Sequence, residues 1–146
     1  MNQVRVGLAV VIIKDNKFIM IKRKGSHAAG TYAFPGGHLE LDENFETCAR
    51  REVMEELGIE ITNLRKGPFF QSSFDDGAKQ YVTLYMFADY PEWETKEPQI
   101  MEPEKCSKIF WCNFATLPYP LFPSILELKS EAYGRYDLDL KLFFNY

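Results

Sequence analysis

Gly37–Ile59, GHLELDENFETCARREVMEELGI, is the stretch whose reading decides the fold. It begins as a short extended run, turns, and predicts one helix of about four turns closing at Gly58. Asn44 is placed to cap that helix, because its side chain can accept from the first unpaired backbone N–H groups. Glu46 suits the positive end of the helix dipole, and Gly58 can take the left-handed conformation that ends a helix. Phe45, Cys48, Ala49, Val53 and Leu57 recur at helical spacing and give an apolar face. Glu52, Glu55 and Glu56 stand at i, i+3 and i+4, which predicts three carboxylates projecting to one side.

Such a cluster repels itself by roughly 0.2–0.5 kcal/mol per like-charged pair even in water. A hard divalent cation reverses that cost, and Mg²⁺ commonly takes one or two carboxylates while keeping waters and phosphate oxygens. A solvated acidic face tempered by Arg50 and Arg51 is the competing interpretation of the cluster by itself. The wider spacing discriminates. Gly37, five residues, Glu43, seven residues, then Arg51-Glu52-Val53-Met54-Glu55-Glu56-Leu57-Gly58-Ile59 fixes seven identities and two apolar positions. At about 7% usage per residue, chance agreement is on the order of one in a billion per window.

That spacing is the Nudix box, and the chain resembles the Nudix hydrolases. The resemblance implies an α/β/α sandwich with a mixed β-sheet between helices, and cleavage of a nucleoside diphosphate linked to a further group. Carried over by position, it implies Glu52 and Glu56 as ligands of Mg²⁺, with Mn²⁺ as a substitute. Glu55 becomes a further ligand or the base, and the Gly37 carbonyl an added ligand. Arg51 is implied to orient the carboxylates and Glu43 to brace loop and helix. Many such enzymes bring another glutamate from a distant loop, for which Glu104 is the first candidate and Glu102 the reserve.

Length and composition are consistent with this. The chain has 146 residues, 46% hydrophobic and 15% aromatic, which fits one folded domain over 1–146. A net charge of −4 and no basic stripe argue against a nucleic-acid polymer as partner. Cys48, Cys106 and Cys112 match neither a disulfide framework nor a zinc-finger spacing, so reduced thiols and a cytoplasmic location are expected. Val4 opens directly into a strand pattern with no leader, and no apolar run reaches membrane-spanning length.

In chain order, Val4–Ile13 predicts a strand buried on both faces, and Phe18–Ile21 its hairpin partner across Lys14-Asp15-Asn16-Lys17. Lys22-Arg23-Lys24 precedes a small-residue loop, Gly25–Gly30, and Arg23 is the candidate phosphate contact because a guanidinium grips two oxygens. Gly36 and Gly37 allow close backbone approach. His38 is suited equally to a phosphate or a neighbouring carbonyl. Ile59–Phe74 and Lys79–Tyr90 predict two long strands joined by Asp75-Asp76-Gly77-Ala78. Phe69, Phe70, Phe74 and Trp93 are expected in the core ahead of any stacking role. Pro91–Glu104 reads as a surface loop leading to a strand at Lys108–Asn113. A last helix is predicted from a Ser124/Glu127 capping box to about Tyr133, with Gly134 as its stop.

Outside the box, PGGHLE, MEPEKC and LPYPLF resemble the MutT-like nucleoside triphosphate diphosphatases, especially a eukaryotic branch acting on oxidised nucleotides. This implies cleavage of a (d)NTP, oxidised or modified bases such as 8-oxo-dGTP included, to the monophosphate and pyrophosphate. It puts Leu121–Ile125, with Phe122 as the chosen contact, beside the base over a floor of Thr83 or Tyr81. The motif accompanying coenzyme A cleavage is missing, and Ser73-Phe74 stands where a proline marks ADP-ribose enzymes. Dihydroneopterin triphosphate, NADH and prenyl diphosphates remain alternative substrates, and an inactive nucleotide sensor a different class of function. Homodimers are common among similar proteins.

Overall fold

A computed structural model describes residues 3–25, 28–74 and 77–135. Strand β1 (Val4–Lys14) turns into β2 (Lys17–Arg23) through Asp15 and Asn16, whose φ angles are 51° and 62°. Two successive left-handed residues match the twist of the strands they join, and Asp and Asn tolerate that conformation best after glycine. Short strands β3 (Tyr32–Ala33) and β4 (Gly36–His38) lead to helix α1 (Phe45–Leu57). Then come β5 (Thr62–Phe74), β6 (Lys79–Asp89), β7 (Cys106–Cys112), a 3₁₀ turn at Phe114–Thr116 and helix α2 (Pro123–Arg135).

The strands form one mixed sheet in the order β3-β2-β1-β6-β5, with β4 also on β1 and β7 also on β2. Strands β1 and β6 run parallel from Val4↔Gln80 to Ile13↔Asp89, while β5 pairs antiparallel with β6. The β1–β2 pairing is confined to the turn, at Ile13↔Phe18 and Lys14↔Lys17. Beyond it the strands part. β4 takes the vacated edge of β1 at Gly7–Ala9, and β7 and β3 take the edges of β2. The split between β1 and β2 positions the candidate site.

Successive side chains on a strand point to opposite faces, so an unbroken apolar run needs cover on both sides. Val10, Ile12, Ile19, Ile21, Met86 and Ala88 pack with Cys48, Ala49, Val53 and Leu57 of α1. Val11, Phe18, Met20, Tyr85 and Phe87 pack on the other face with Ile125 and Leu128 of α2. This is the expected α/β/α sandwich. All three cysteines are buried free thiols. No helix among the described residues is long and apolar enough to cross a membrane.

Some local expectations fail for tertiary reasons. Phe69 is 71% exposed and Trp93 60% exposed, so neither belongs to the core. The β5–β6 register shifts between Lys66 and Phe69, which reorients side chains along this edge strand. Phe70 does pack edge-on against Tyr85, with ring centroids 5.8 Å apart, whereas the Phe74 side chain and Asp75-Asp76 lie outside the described residues. Helix α2 opens at Pro123, a proline suited to a first turn, so Ser124 lies inside the helix rather than capping it. The helix also continues past Gly134 to Arg135.

Candidate active site

Helix α1 is closed at both ends as its residues dictate. The Asn44 side chain accepts from the Thr47 N–H at 2.8 Å, and Gly58, at φ 69°, donates its N–H to the Met54 carbonyl at 3.0 Å. The loop from Pro91 onward satisfies two further carbonyls that the helix end would leave unpaired. Gln99 N–H donates to Leu57 at 2.9 Å and Met101 N–H to Glu56 at 3.1 Å. These bonds bring Glu102 and Glu104 to the same end of the molecule as the helix carboxylates.

A cavity of about 630 Å³ occupies the split in the sheet. Its lining contains Glu52, Glu56, Gly36, Gly37, Arg23, His38, Glu104 and Phe122 from the sequence-derived set. The other two, Arg51 and Glu55, lie outside the lining. Helical rotation explains the division: Glu56 is displaced from Glu52 by roughly 40° around the axis, Glu55 by about 60° the other way. The three carboxylates therefore do not share one direction. Glu52 and Glu56 enter the cavity lining, while Glu55 remains 49% exposed near Arg51.

Arg51 is the hub that fixes the acidic side chains. Its Nε and Nη2 donate to the two Glu43 oxygens at 3.0 and 2.7 Å, a two-pronged grip. Nη1 reaches Glu52 at 2.9 Å and Glu55 at 3.4 Å, and Nη2 also donates to the His38 carbonyl at 3.1 Å. Hydrogen bonds from Arg51 and from the Glu40 N–H hold the Glu43 carboxyl down at about 2. Glu52 and Glu56 go the opposite way. Burial, then the charge of Glu52, pushes Glu56 up to about 8, partly offset by the Gly36 N–H that donates to it at 3.2 Å. Burial also raises Glu52, against the pull of Arg51. Glu102 raises both.

The glycines before α1 are required by contact. A Cβ on Gly36 would collide with the Leu8 carbonyl, and one on Gly37 would collide with the Glu52 carboxylate. Arg23 lies over the Phe122 ring at 5.1 Å, and burial lowers its pKa while Glu56 opposes that shift. His38 stacks on Tyr81 at 5.6 Å. Its pKa is lowered by burial and then by Arg5, Arg23 and Lys105. Tyr81 and Thr83 line the cavity as expected for a floor, and Ser124 and Ile125 join Phe122 there.

Arg5, Lys79, Lys105 and Tyr85 also line the cavity, unanticipated by the sequence reading. The available signal was the period of two on paired strands: Arg5, Gly7 and Ala9 stand opposite Tyr81, Thr83 and Tyr85 in register.

Among the described residues, no three carboxylate, thiol or imidazole groups converge closely enough to form a complete metal shell. The donor chemistry still fits one hard divalent cation. Glu52 and Glu56 are two half-buried carboxylates whose ionisation burial disfavours, and the charge of Glu52 adds to that cost at Glu56; a cation between them removes the penalty.

The NUDIX domain profile matches residues 1–131, and the chain belongs to the Nudix hydrolase family. It is 32% identical over 99 residues to the 8-oxo-dGTP diphosphatase of Proteus vulgaris, covering 66% of this chain and 85% of that protein. Over 114 residues it is 36% identical to the NAD-capped RNA hydrolase NudC of Vibrio cholerae, covering 78% of this chain but 39% of that protein. The chain spans only 22% of the corresponding NudC from Vibrio vulnificus. Among solved structures, the MutT NUDIX hydrolase from Burkholderia pseudomallei superposes with a TM-score of 0.77 at 29% identity, covering 87% of this chain and 97% of that one.

Proposed function

We propose that this chain is one Mg²⁺-dependent catalytic domain that hydrolyses nucleoside triphosphates, oxidised or modified ones included, to the monophosphate and pyrophosphate. The observation that carries this is the half-buried Glu52–Glu56 pair sharing one cavity with Arg5, Arg23 and Lys105. Such a site suits a ligand that is anionic along its length and brings a cation to its acidic end. The 8-oxo-dGTP diphosphatase relative, matched over most of its own length, supports the triphosphate reading over a dinucleotide or non-nucleotide one.

Glu52 and Glu56 would hold the metal, with the Gly37 carbonyl beside them. Bound there, Mg²⁺ or Mn²⁺ would neutralise phosphate charge and make the attacking water more acidic. Arg51 keeps Glu52 aligned through the grip it maintains on Glu43. Arg23, braced against Phe122, holds the phosphates by charge-assisted hydrogen bonds. Water attacks the α- or β-phosphorus, the P–O bond of the α–β bridge breaks to separate the monophosphate from pyrophosphate, and a carboxylate takes the water's proton. Glu55, Glu102 and Glu104 are the candidates for that base. Glu102 and Glu104 both line the cavity, and the charge of Glu102 reaches Glu52 and Glu56. A nucleotide pool in the cytoplasm is consistent with three buried free thiols.

The test is turnover of canonical and oxidised (d)NTPs, dihydroneopterin triphosphate, NADH and prenyl diphosphates with Mg²⁺, in the parent and in Glu56→Gln. The expected result is release of pyrophosphate from triphosphates, reduced by about a thousandfold or more in the variant. A clear preference for a prenyl diphosphate would reject the substrate, and absence of all turnover would favour a sensor.

A further inference from the structure

At the end of the cavity beneath α2, the Tyr85 hydroxyl and Ser124 Oγ are 2.8 Å apart and hydrogen-bonded. Both residues are essentially inaccessible to bulk water, at 1% exposure each, yet both line the cavity. Neither hydroxyl has another protein partner among the described residues. Thr83, Phe34, Ile125 and Phe122 line the cavity with the pair, and Glu127 is the carboxylate whose charge acts on the Tyr85 hydroxyl. Gly7 and Ala9, across the β1–β6 register from Thr83 and Tyr85, leave a flat floor beside them. Together these side chains offer a planar ring an apolar surface that carries hydroxyl groups.

We propose that Tyr85 and Ser124 form a polarity-switchable reader of the base edge, so that this enzyme selects bases by shape rather than by donor–acceptor pattern. The proposal rests on the nucleotide reading above and deepens it. Each hydroxyl has one hydrogen to donate and two lone pairs. Their mutual bond uses one hydrogen and one lone pair, and it can run in either direction. One O–H therefore remains for a ligand carbonyl or ring nitrogen, and lone pairs remain for a ligand N–H. A reader of fixed polarity, such as a carboxylate, would leave a mismatched base edge unpaired. That mismatch typically discriminates on the order of tenfold to a hundredfold. The hydroxyl pair removes the discrimination. It also accepts a purine whose N7 acceptor has become an N–H donor on oxidation at C8, without excluding the parent purine.

Affinities of GMP against AMP, and UMP against CMP, measured by calorimetry, provide the test, since product binding reads this surface with or without turnover. In the parent, each keto–amino pair should agree within about tenfold. The double variant Tyr85→Phe/Ser124→Ala should weaken all four by roughly tenfold to a hundredfold. Ser124→Asp, an acceptor only, should favour AMP over GMP by tenfold or more. Circular dichroism and melting establish which variants fold; if the aspartate variant does not, the parent ratios and the double variant decide. A parent preference above a hundredfold, or unchanged binding in a folded double variant, would overturn the proposal and leave the pair as a brace for α2. Nucleotide binding without turnover would reject the catalytic reading while sparing the hydroxyl pair. Turnover of non-nucleotide diphosphates without binding of any monophosphate would do the reverse.

Discussion

Glu56→Gln should change how the protein's stability depends on pH, and it should do so without any substrate. In the folded chain the Glu56 carboxyl is pushed up to about 8 from an ordinary 4.5. Between those values the folded protein holds a proton that the unfolded chain releases. Stability linked to this group is therefore complete below about pH 4.5 and is lost as pH rises through about 8. The slope is about 1.4 kcal/mol per pH unit, or about 3 kcal/mol between pH 5 and pH 7.5. For a chain of this size that corresponds to a fall in Tm of roughly 6–12 °C. Glutamine resembles the protonated carboxyl in shape and charge, so the variant should lose this slope and melt higher than the parent at pH 7.5. Glu43, held at about 2, titrates below the window. His38, lowered by burial and cationic neighbours, contributes a slope of opposite sign that is common to both proteins. Thermal melts of parent and variant in metal-free buffers from pH 5 to pH 8 isolate the difference. Millimolar Mg²⁺ should then raise the parent's Tm at pH 8 and leave the variant's nearly unchanged. Parallel Tm–pH curves for the two proteins would refute a buried, uncompensated Glu56.

Other substitutions address the parts around it. Arg51→Lys keeps the charge but loses the two-pronged hold on Glu43, and should reduce activity by about 10- to 100-fold through a weaker apparent Mg²⁺ affinity; a Mg²⁺ titration equal to the parent's would contradict the hub. Gly37→Ala drives a Cβ into the Glu52 carboxylate, so a similar 10- to 100-fold loss of metal affinity is expected with far-UV circular dichroism preserved. Gly58→Ala forces a left-handed backbone on alanine and crowds the Met101 sulfur, 3.1 Å from the added carbon. Denaturant unfolding should show a loss of about 1–2 kcal/mol. Burial raises the pKa of all three thiols, with Cys48 pushed up to about 12 and Cys112 to about 11. A thiol reagent at pH 8 should therefore react slowly with the folded protein and rapidly with all three cysteines in urea; a fast-reacting cysteine in the native state would show that the core is open.

The sequence by itself determined the parts whose physics is local. Helix α1, its Asn44 and Gly58 caps and its apolar face follow from spacing within a few turns. The sandwich follows from the unbroken apolar run of β1, which only a sheet covered on both faces can bury. The acidic residues of the cavity were largely legible because the box fixes their spacing, and Arg23 because it ends β2 just before a small-residue loop, whereas Arg5, Lys79 and Lys105 arrive only through tertiary structure. Tertiary structure alone decided which carboxylates face the cavity, since Glu55 is separated from Glu52 and Glu56 by rotation and by its contact with Arg51. It decided that Glu102 acts on the carboxylate pair, because main-chain bonds from Gln99 and Met101 to the end of α1 set that loop's position. It also turned Ser124 from a plausible cap into the partner of Tyr85, 39 residues away in the chain. Capping preference is worth about 1 kcal/mol, and a buried hydroxyl left unpaired costs as much or more, so long-range packing overrode the local signal.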